Sequence, residues 1–356
     1  MNKYDFLRFN LFTAAPQESL TLKPNWTGQQ NGQYDYTAAE DLTPEMKTFY
    51  DKALIRMAEP MLVHDQFGQK RPIPAGNGKT IEFRKFASLP KISEALTEGI
   101  TPDGQKYSVS AITATVAQYG AYIATTDMLN LTAFDNTMAE ITKMLASQAA
   151  RTSDTLTRDV LCAGTNVMWS DADNGGNDAR TKLQAEDVLT VGDIKKARRL
   201  LQRNNAPTIS GCYVAIIHPD TEYDLMQDSE WQEASKYAGS TQIFNGEIGK
   251  LYNVRFVVST EAKIWKDSTC PVISGSDYRP VYATLVLGEN AFGVTSINNG
   301  GIQTIVKQLG SGGTADPLDQ RSTVGWKLNK VAKILVPEYL VRIEHVTSFG
   351  ASASAN

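Results

Sequence analysis

Residues 79–122 constrain this chain more than any other stretch. They read as two runs of strand-forming sequence around a polar segment too long for a tight turn. In KTIEFRKF, Ile81 and Phe83 fall on one face and Glu82 and Arg84 on the other, the period of a strand. Pro90, Gly99, Pro102 and Gly104 interrupt the middle. From Tyr107 to Thr126, YSVSAITATVAQYGAYIATT resumes with β-formers. Two long arms around a polar tip predict an extended hairpin. A two-stranded ribbon is marginal in water and persists only against another surface. The stretch carries no nucleophile–base pair, no metal-ligand spacing and no complete phosphate loop, so contact area is the function left to it.

The 356 residues are enough for about two domains. With 42% hydrophobic and 21% charged residues the chain is globular, not disordered. Lys+Arg number 35 against 39 Asp+Glu, a net charge of −4, which is not the field of a dedicated nucleic-acid binder. Cys162, Cys212 and Cys270 lie far apart and suggest neither a zinc site nor a disulfide framework; they read as free thiols of a reducing compartment. The N-terminus MNKYDFLRFNLF has no apolar core of signal-peptide length, and no run of about 18 apolar residues exists. Synthesis in cytoplasm and no membrane association are expected.

Residues 1–41 look irregular and polar, yet carry Phe6, Phe9, Phe12, Trp26, Tyr34 and Tyr36. Aromatics at that density suit an arm that docks on another surface. Thr43, Pro44 and Glu45 form a helix start for 42–62. A stripe of Met138, Ile141, Leu145, Ala149, Thr152, Leu156 and Val160 predicts a helix over about 133–163, roughly 45 Å long. Strands alternating with short helices over 190–300 predict an α/β module, with a helix at 192–204 and one strand in IGKLYNVRFVVST. Two β-rich runs separated at Pro337 and Glu338 close the chain.

Several stretches imitate chemistry. AGNGKT (75–80) lacks the first glycine of a phosphate loop, since Ile73 stands there, and a strand pattern follows it; it reads as a turn. DADNGG (171–176) lacks a calcium loop's closing glutamate, because Lys182 occupies that position. KKARRLLQR puts Lys195, Lys196, Arg198, Arg199 and Arg203 on the polar side of a helix, where a solvated face competes with contact to a polyanion or an acidic neighbour. His64, His218 and His345 have no partner at ligand spacing. No catalytic, metal or cofactor residue is assigned, and no enzyme activity is expected.

The order of arm, helix, long hairpin, long helix, α/β module and closing strands resembles the major capsid proteins of tailed bacteriophages, of HK97-like fold. EALTEGITPDGQ, VAQYGAYIATTDML and DPLDQRSTVGWKLNKVAKIL resemble the matching stretches of a podophage-type capsid family. The resemblance implies an α+β chain divided as follows: N-terminal arm 1–41; extended loop (E-loop) 72–122; peripheral domain 42–71, 123–189 and 301–356, with its spine helix; axial domain 190–300. It implies hexamers and pentamers in an icosahedral shell around double-stranded DNA, touched only nonspecifically. A separate scaffolding protein and a portal belong to that picture, with a decoration protein as an option. The virion is then the site of action, and the host bacterial cytoplasm the site of synthesis. Ile81, Phe83, Phe86, Tyr107, Val109 and Ile112 become inter-subunit contacts of the hairpin, and the six arm aromatics those of the arm. The competing reading is an encapsulin-like compartment shell.

Overall fold

The computed structural model describes residues 63–356 apart from 87–88, 94, 96–97, 100, 102–103, 133–136, 172–175, 238–246, 275–276, 298–300, 313–315 and 350–353. The arm and the helix expected at 42–62 lie outside the described residues.

In chain order, a 3₁₀ turn at His64–Phe67 leads to β1 (Gln69–Lys70), β2 (Thr80–Phe86), β3 (Val109–Thr115) and β4 (Ala117–Thr126). Helices α1 (Asp127–Thr132) and α2 (Thr137–Cys162) follow, then β5 (Val167–Trp169), α3 (Val191–Arg203) and β6 (Tyr213–Ile217). Next come α4 (Pro219–Gln227), α5 (Ser229–Tyr237), β7 (Glu247–Leu251), β8 (Val254–Val258), β9 (Ile264–Trp265), β10 (Val272–Ser274) and β11 (Asp277–Tyr278). The chain closes with β12 (Val281–Leu287), β13 (Phe292–Thr295), β14 (Gln303–Lys307), β15 (Arg321–Ile334) and β16 (Leu340–His345).

Two units share the described residues, and their boundaries cut α2 after Ala149 and β15 after Leu328. The division therefore crosses the regions 123–189 and 301–356.

The larger unit, residues 63–118, 150–301 and 329–356, is built on a seven-stranded sheet in the order β5-β16-β12-β6-β8-β7, with β9 also on β12. Every residue of β6 and β12 is buried, as expected of central strands covered on both faces. Period two divides β6 between two cores. Tyr213, Ala215 and Ile217 pack with Ile194, Ala197 and Leu201 of α3; Val214 and Ile216 pack with Leu161 and Cys162 of α2. A capping box starts α3: the Thr190 hydroxyl accepts from the Asp193 amide, and the Asp193 carboxylate accepts from the Thr190 amide. The single strand expected in IGKLYNVRFVVST is two. Tyr252 and Asn253 take positive φ (48° and 64°) between the paired residues Leu251 and Val254, a two-residue turn whose twist matches a hairpin.

The extended hairpin is β2 and β3, antiparallel from Thr80 opposite Thr115 to Phe86 opposite Val109. AGNGKT forms the turn before it, with Gly76 and Gly78 at positive φ. At the root, Phe83, Ala114 and Leu335 are buried, with Ile81, Ile112, Val331 and Val336 around them. Gly293 makes room: a Cβ there would stand 3.0 Å from the Phe83 ring.

The inner face of α2 in this unit departs from the sequence stripe. Leu156 and Val160 are half-buried, while Ser153, Asp154, Thr157 and Arg158 are buried. The reason is a polar cluster. The Lys330 ammonium contacts the Asp65 carboxylate and donates to the Ser153 carbonyl (2.8 Å) and hydroxyl (2.9 Å), so its three hydrogens are taken. Thr157 donates to Asp65 (2.5 Å), and Asp154 accepts from the His64 amide (2.9 Å) and faces its ring Nδ1 (2.6 Å). Burial holds the Lys330 amine below its usual pKa, with Asp65 opposing. These contacts tie the 3₁₀ turn to α2 and β15.

The smaller unit comprises 119–149 and 302–328 among the described residues. There the first half of β15 pairs with β14, from Thr323 opposite Lys307 to Lys327 opposite Gln303, and with β4. Leu145, Ala146 and Ala149 of α2 pack on Val306, Val324, Trp326 and Leu328. Gly120 and Gly325 let β4 and β15 close up: a Cβ on Gly120 would meet the Trp326 carbonyl at 2.6 Å, and one on Gly325 the Tyr122 Cβ at 2.9 Å.

Removing one partner of the buried pair leaves the other charge uncompensated. Lys330→Ala is expected to cost about 3–5 kcal/mol in chemical denaturation, and Asp65→Leu with Lys330→Met to recover most of that loss. A single-variant cost below about 1 kcal/mol would show that water reaches the pair.

Candidate assembly surface

The structure divides the six hairpin residues into two groups. Phe83 is 9% exposed and spends its surface on Leu335 and Ala114 of its own unit, with Ile81 and Ile112 half-buried beside it. Within its own unit Phe83 therefore belongs to the root core, with little of its side chain left outward. Phe86 (66% exposed), Tyr107 (73%) and Val109 stand in solvent, with the Phe86 and Tyr107 ring centroids 6.4 Å apart. Leu89 and Ile92, in the connection between the two arms, are exposed as well. The sequence reading passed over those two because Pro90 and the polar residues after it dominate that stretch; the apolar pair in LPKI was the available signal. A set of large apolar side chains left in water on one ribbon marks an interaction surface.

The smaller unit has its own exposed apolar residues: Met128 and Leu131 on α1, with Leu309 and Leu318 in the connection between β14 and β15. The arm residues Phe6, Phe9, Phe12, Trp26, Tyr34 and Tyr36 lie outside the described residues.

The basic helix finds acidic neighbours within its own unit. Lys195 pairs with Glu230 at 2.5 Å and lies 4.5 Å above the Tyr252 ring; Lys196 pairs with Asp193 at 3.1 Å. The hydrogen bond to Glu230 raises the Lys195 pKa. Arg198 is half-buried, and Arg199 and Arg203 are exposed.

The titratable groups serve the fold. His218 caps α4 by accepting from the Asp220 amide (3.2 Å), and burial lowers its pKa against the pull of Asp220. His345 is fully buried: Nδ1 faces the Val346 carbonyl at 3.0 Å and so carries the hydrogen, while Nε2 accepts from the Thr284 hydroxyl at 3.0 Å. Burial pushes this imidazole down to about 4. Burial pushes the Cys162 thiol up to about 12, where it is not a nucleophile. Among the described residues no group of three or more His, Cys, Asp or Glu could hold a metal ion, and no helix is long and apolar enough to cross a membrane.

A family of phage capsid proteins matches residues 110–343, from the second arm of the hairpin to the last strand. The chain belongs to that phage capsid protein family. A shorter stretch of 78 residues, 22% of the chain, is 31% identical to the major capsid protein of Escherichia phage T5 and spans 17% of that relative's length. Among solved structures, the chain resembles the capsid of Ralstonia phage GP4 with a TM-score of 0.61 at 13% identity, over 89% of this chain and 95% of that one. The cyanophage Pam1 capsid subunit gives 0.61 at 13% identity over 90% and 98%, and the head of Helicobacter pylori bacteriophage KHP40 gives 0.57 at 12% over 89% and 95%. The fold is the α+β, HK97-like fold of phage capsids.

Two outcomes follow. An unfolded chain protonates His345 below about pH 6.5, whereas the folded chain waits until about 4. Stability is therefore present above pH 6.5 and lost as the pH falls toward 4, by roughly 3 kcal/mol. His345→Gln should show a correspondingly shallower loss between pH 7 and 4.5 in denaturant titrations, and an equal slope would contradict the assignment. In the hairpin, Phe86→Asp with Tyr107→Asp should shift stability by no more than about 0.5 kcal/mol, whereas Phe83→Asp should cost more than about 3 kcal/mol.

Proposed function

We propose that this chain is the major capsid protein of a tailed bacteriophage, assembling as hexamers and pentamers into the icosahedral shell around the double-stranded DNA genome. The observation that carries this reading is the family match, which runs through the hairpin's second arm, the long helix and the central sheet. The ribbon supplies the physics. It is anchored at its root by Phe83 and carries Phe86, Leu89, Ile92, Tyr107 and Val109 into solvent, which is the arrangement of a contact that needs a second subunit. Each such contact is modest, and a closed shell multiplies it. A net charge of −4 keeps repulsion between many copies small.

In this reading 72–122 is the extended loop, α2 the spine helix, and 190–300 the axial domain. The arm aromatics Phe6, Phe9, Phe12, Trp26, Tyr34 and Tyr36 grip neighbouring subunits. A separate scaffolding protein and a portal complete assembly, a decoration protein is optional, and Arg199 and Arg203 are open to nonspecific contact with packaged DNA or an acidic neighbour. The subunit is made in the host bacterial cytoplasm, works in the virion, and has no catalytic role.

Sedimentation and negative-stain electron microscopy of the expressed chain, with and without co-expressed phage scaffolding, should show closed particles. Phe86→Asp with Tyr107→Asp should leave soluble, folded subunits that do not close. Particles unaffected by that pair would remove the hairpin from the assembly mechanism, and a catalytically active monomer would remove the shell reading altogether.

A further inference from the structure

One exposed apolar surface of the larger unit lies outside its cores. On α4, Tyr223 and Met226 are exposed one helical turn apart, and the Phe349 ring, exposed too, has its centroid 5.1 Å from that of Tyr223. The sequence around this surface is acidic. Residues 219–233 carry Asp220, Glu222, Asp224, Asp228, Glu230 and Glu233, and no Lys, Arg or His. Four of these acids are engaged within the unit. Asp220 accepts from the Tyr282 hydroxyl (2.7 Å), Asp224 from the Ser348 amide (3.0 Å) and Asp228 from the Val191 amide (2.9 Å), while Glu230 pairs with Lys195. Glu222, one turn before Met226, is half-buried and meets no cation among the described residues; burial alone raises its carboxyl pKa.

A complementary surface exists in the same unit. Beside the hairpin root lies an open groove of about 540 Å³, with an apolar wall from Ile81, Ile112 and Val336 and with Arg71, Arg84 and Lys85 in its lining. Its size suits a few side chains. Glu82 is the one carboxylate among its described lining residues. Arg84 pairs with Glu82 at 2.8 Å and Lys85 with Glu338 at 3.6 Å, but all four side chains are between 45% and 69% exposed, so these pairs hold little energy. Among the described residues no carboxylate pairs with Arg71.

The helix and the groove share no residue, and each has what the other lacks: an aromatic and a thioether edged by acid on α4, an apolar wall edged by cations in the groove. A helix laying its apolar face in a groove is a recurring mode of recognition. Joining two different patches leaves every pair of copies with one free helix and one free groove, and such a head-to-tail contact closes into a ring when the rotation allows.

We propose that the groove of one copy receives α4 of a second copy, with Tyr223 and Met226 against Ile81, Ile112 and Val336, and with Glu222 against Arg71 and Lys85. The inference rests on the shell reading and names a contact that joins subunits within a ring. Because the charges are partly exposed, the contact weakens with salt.

A photo-crosslinking phenylalanine in place of Tyr223 tests it, in the full-length chain co-expressed with phage scaffolding and mixed from isotopically light and heavy copies. After irradiation and proteolysis, mass spectrometry should place most crosslinks between light and heavy chains, within residues 69–86, 112 and 335–336. Glu222→Lys should lower that yield roughly three- to tenfold, and Arg71→Glu with Lys85→Glu in the same chain should restore it to within about threefold. Crosslinks confined to single chains, to other surfaces or to nucleic acid, or a yield indifferent to both charge reversals, would overturn the proposal. Sedimentation of the same samples keeps the two readings apart. Particles without the crosslink sink only this contact; crosslinked oligomers that never close into particles sink only the shell; monomers without it sink both.

Discussion

A β-ribbon cannot hold itself in water, and here only one end of it is held. Phe83 and Ala114 sit against Leu335, in a pocket that Gly293 keeps open for the Phe83 ring. Beyond that root Phe86 and Val109 at the ends of the two strands, and Tyr107 just before the second, are exposed. The apolar root fixes the direction of the ribbon, and the uncovered end gives it something to bind with. If both ends were buried the hairpin would be a layer of the fold; if neither were, it would be disordered.

Polar groups as well as apolar ones tie the larger unit together. The sheet of β6, β12 and β16 is sealed by α3 on one face and by the end of α2 on the other, as hydrophobic period dictates. Between α2, β15 and the 3₁₀ turn, the seal is ionic. Lys330, Asp65, Ser153 and Thr157 satisfy one another at depth, and such an arrangement specifies one geometry where leucines would accept several.

Much of this was legible in the sequence, and the misses have causes. The long helix read at 133–163 runs from Thr137 to Cys162, and the basic helix read at 192–204 runs from Val191 to Arg203, because apolar spacing and Thr190 mark them strongly. The hairpin arms were visible as period two. Period two also sets Phe83 and Phe86 on opposite faces; which face is covered was not legible, since Leu335 and Gly293 arrive from the far end of the chain. The buried stripe of α2 shifted onto Ser153, Asp154 and Thr157 because their partners, His64, Asp65 and Lys330, are distant in sequence. Tyr252 hid a turn, since a tyrosine at positive φ is not the glycine or asparagine that usually announces one.

The cysteines carry a last consequence. Oxidative damage begins at the thiolate, and burial holds Cys162 and Cys270 as thiols well above neutral pH. A particle built from such chains would meet dissolved oxygen and peroxide outside the cell with those two sulfurs still protonated and slow to react.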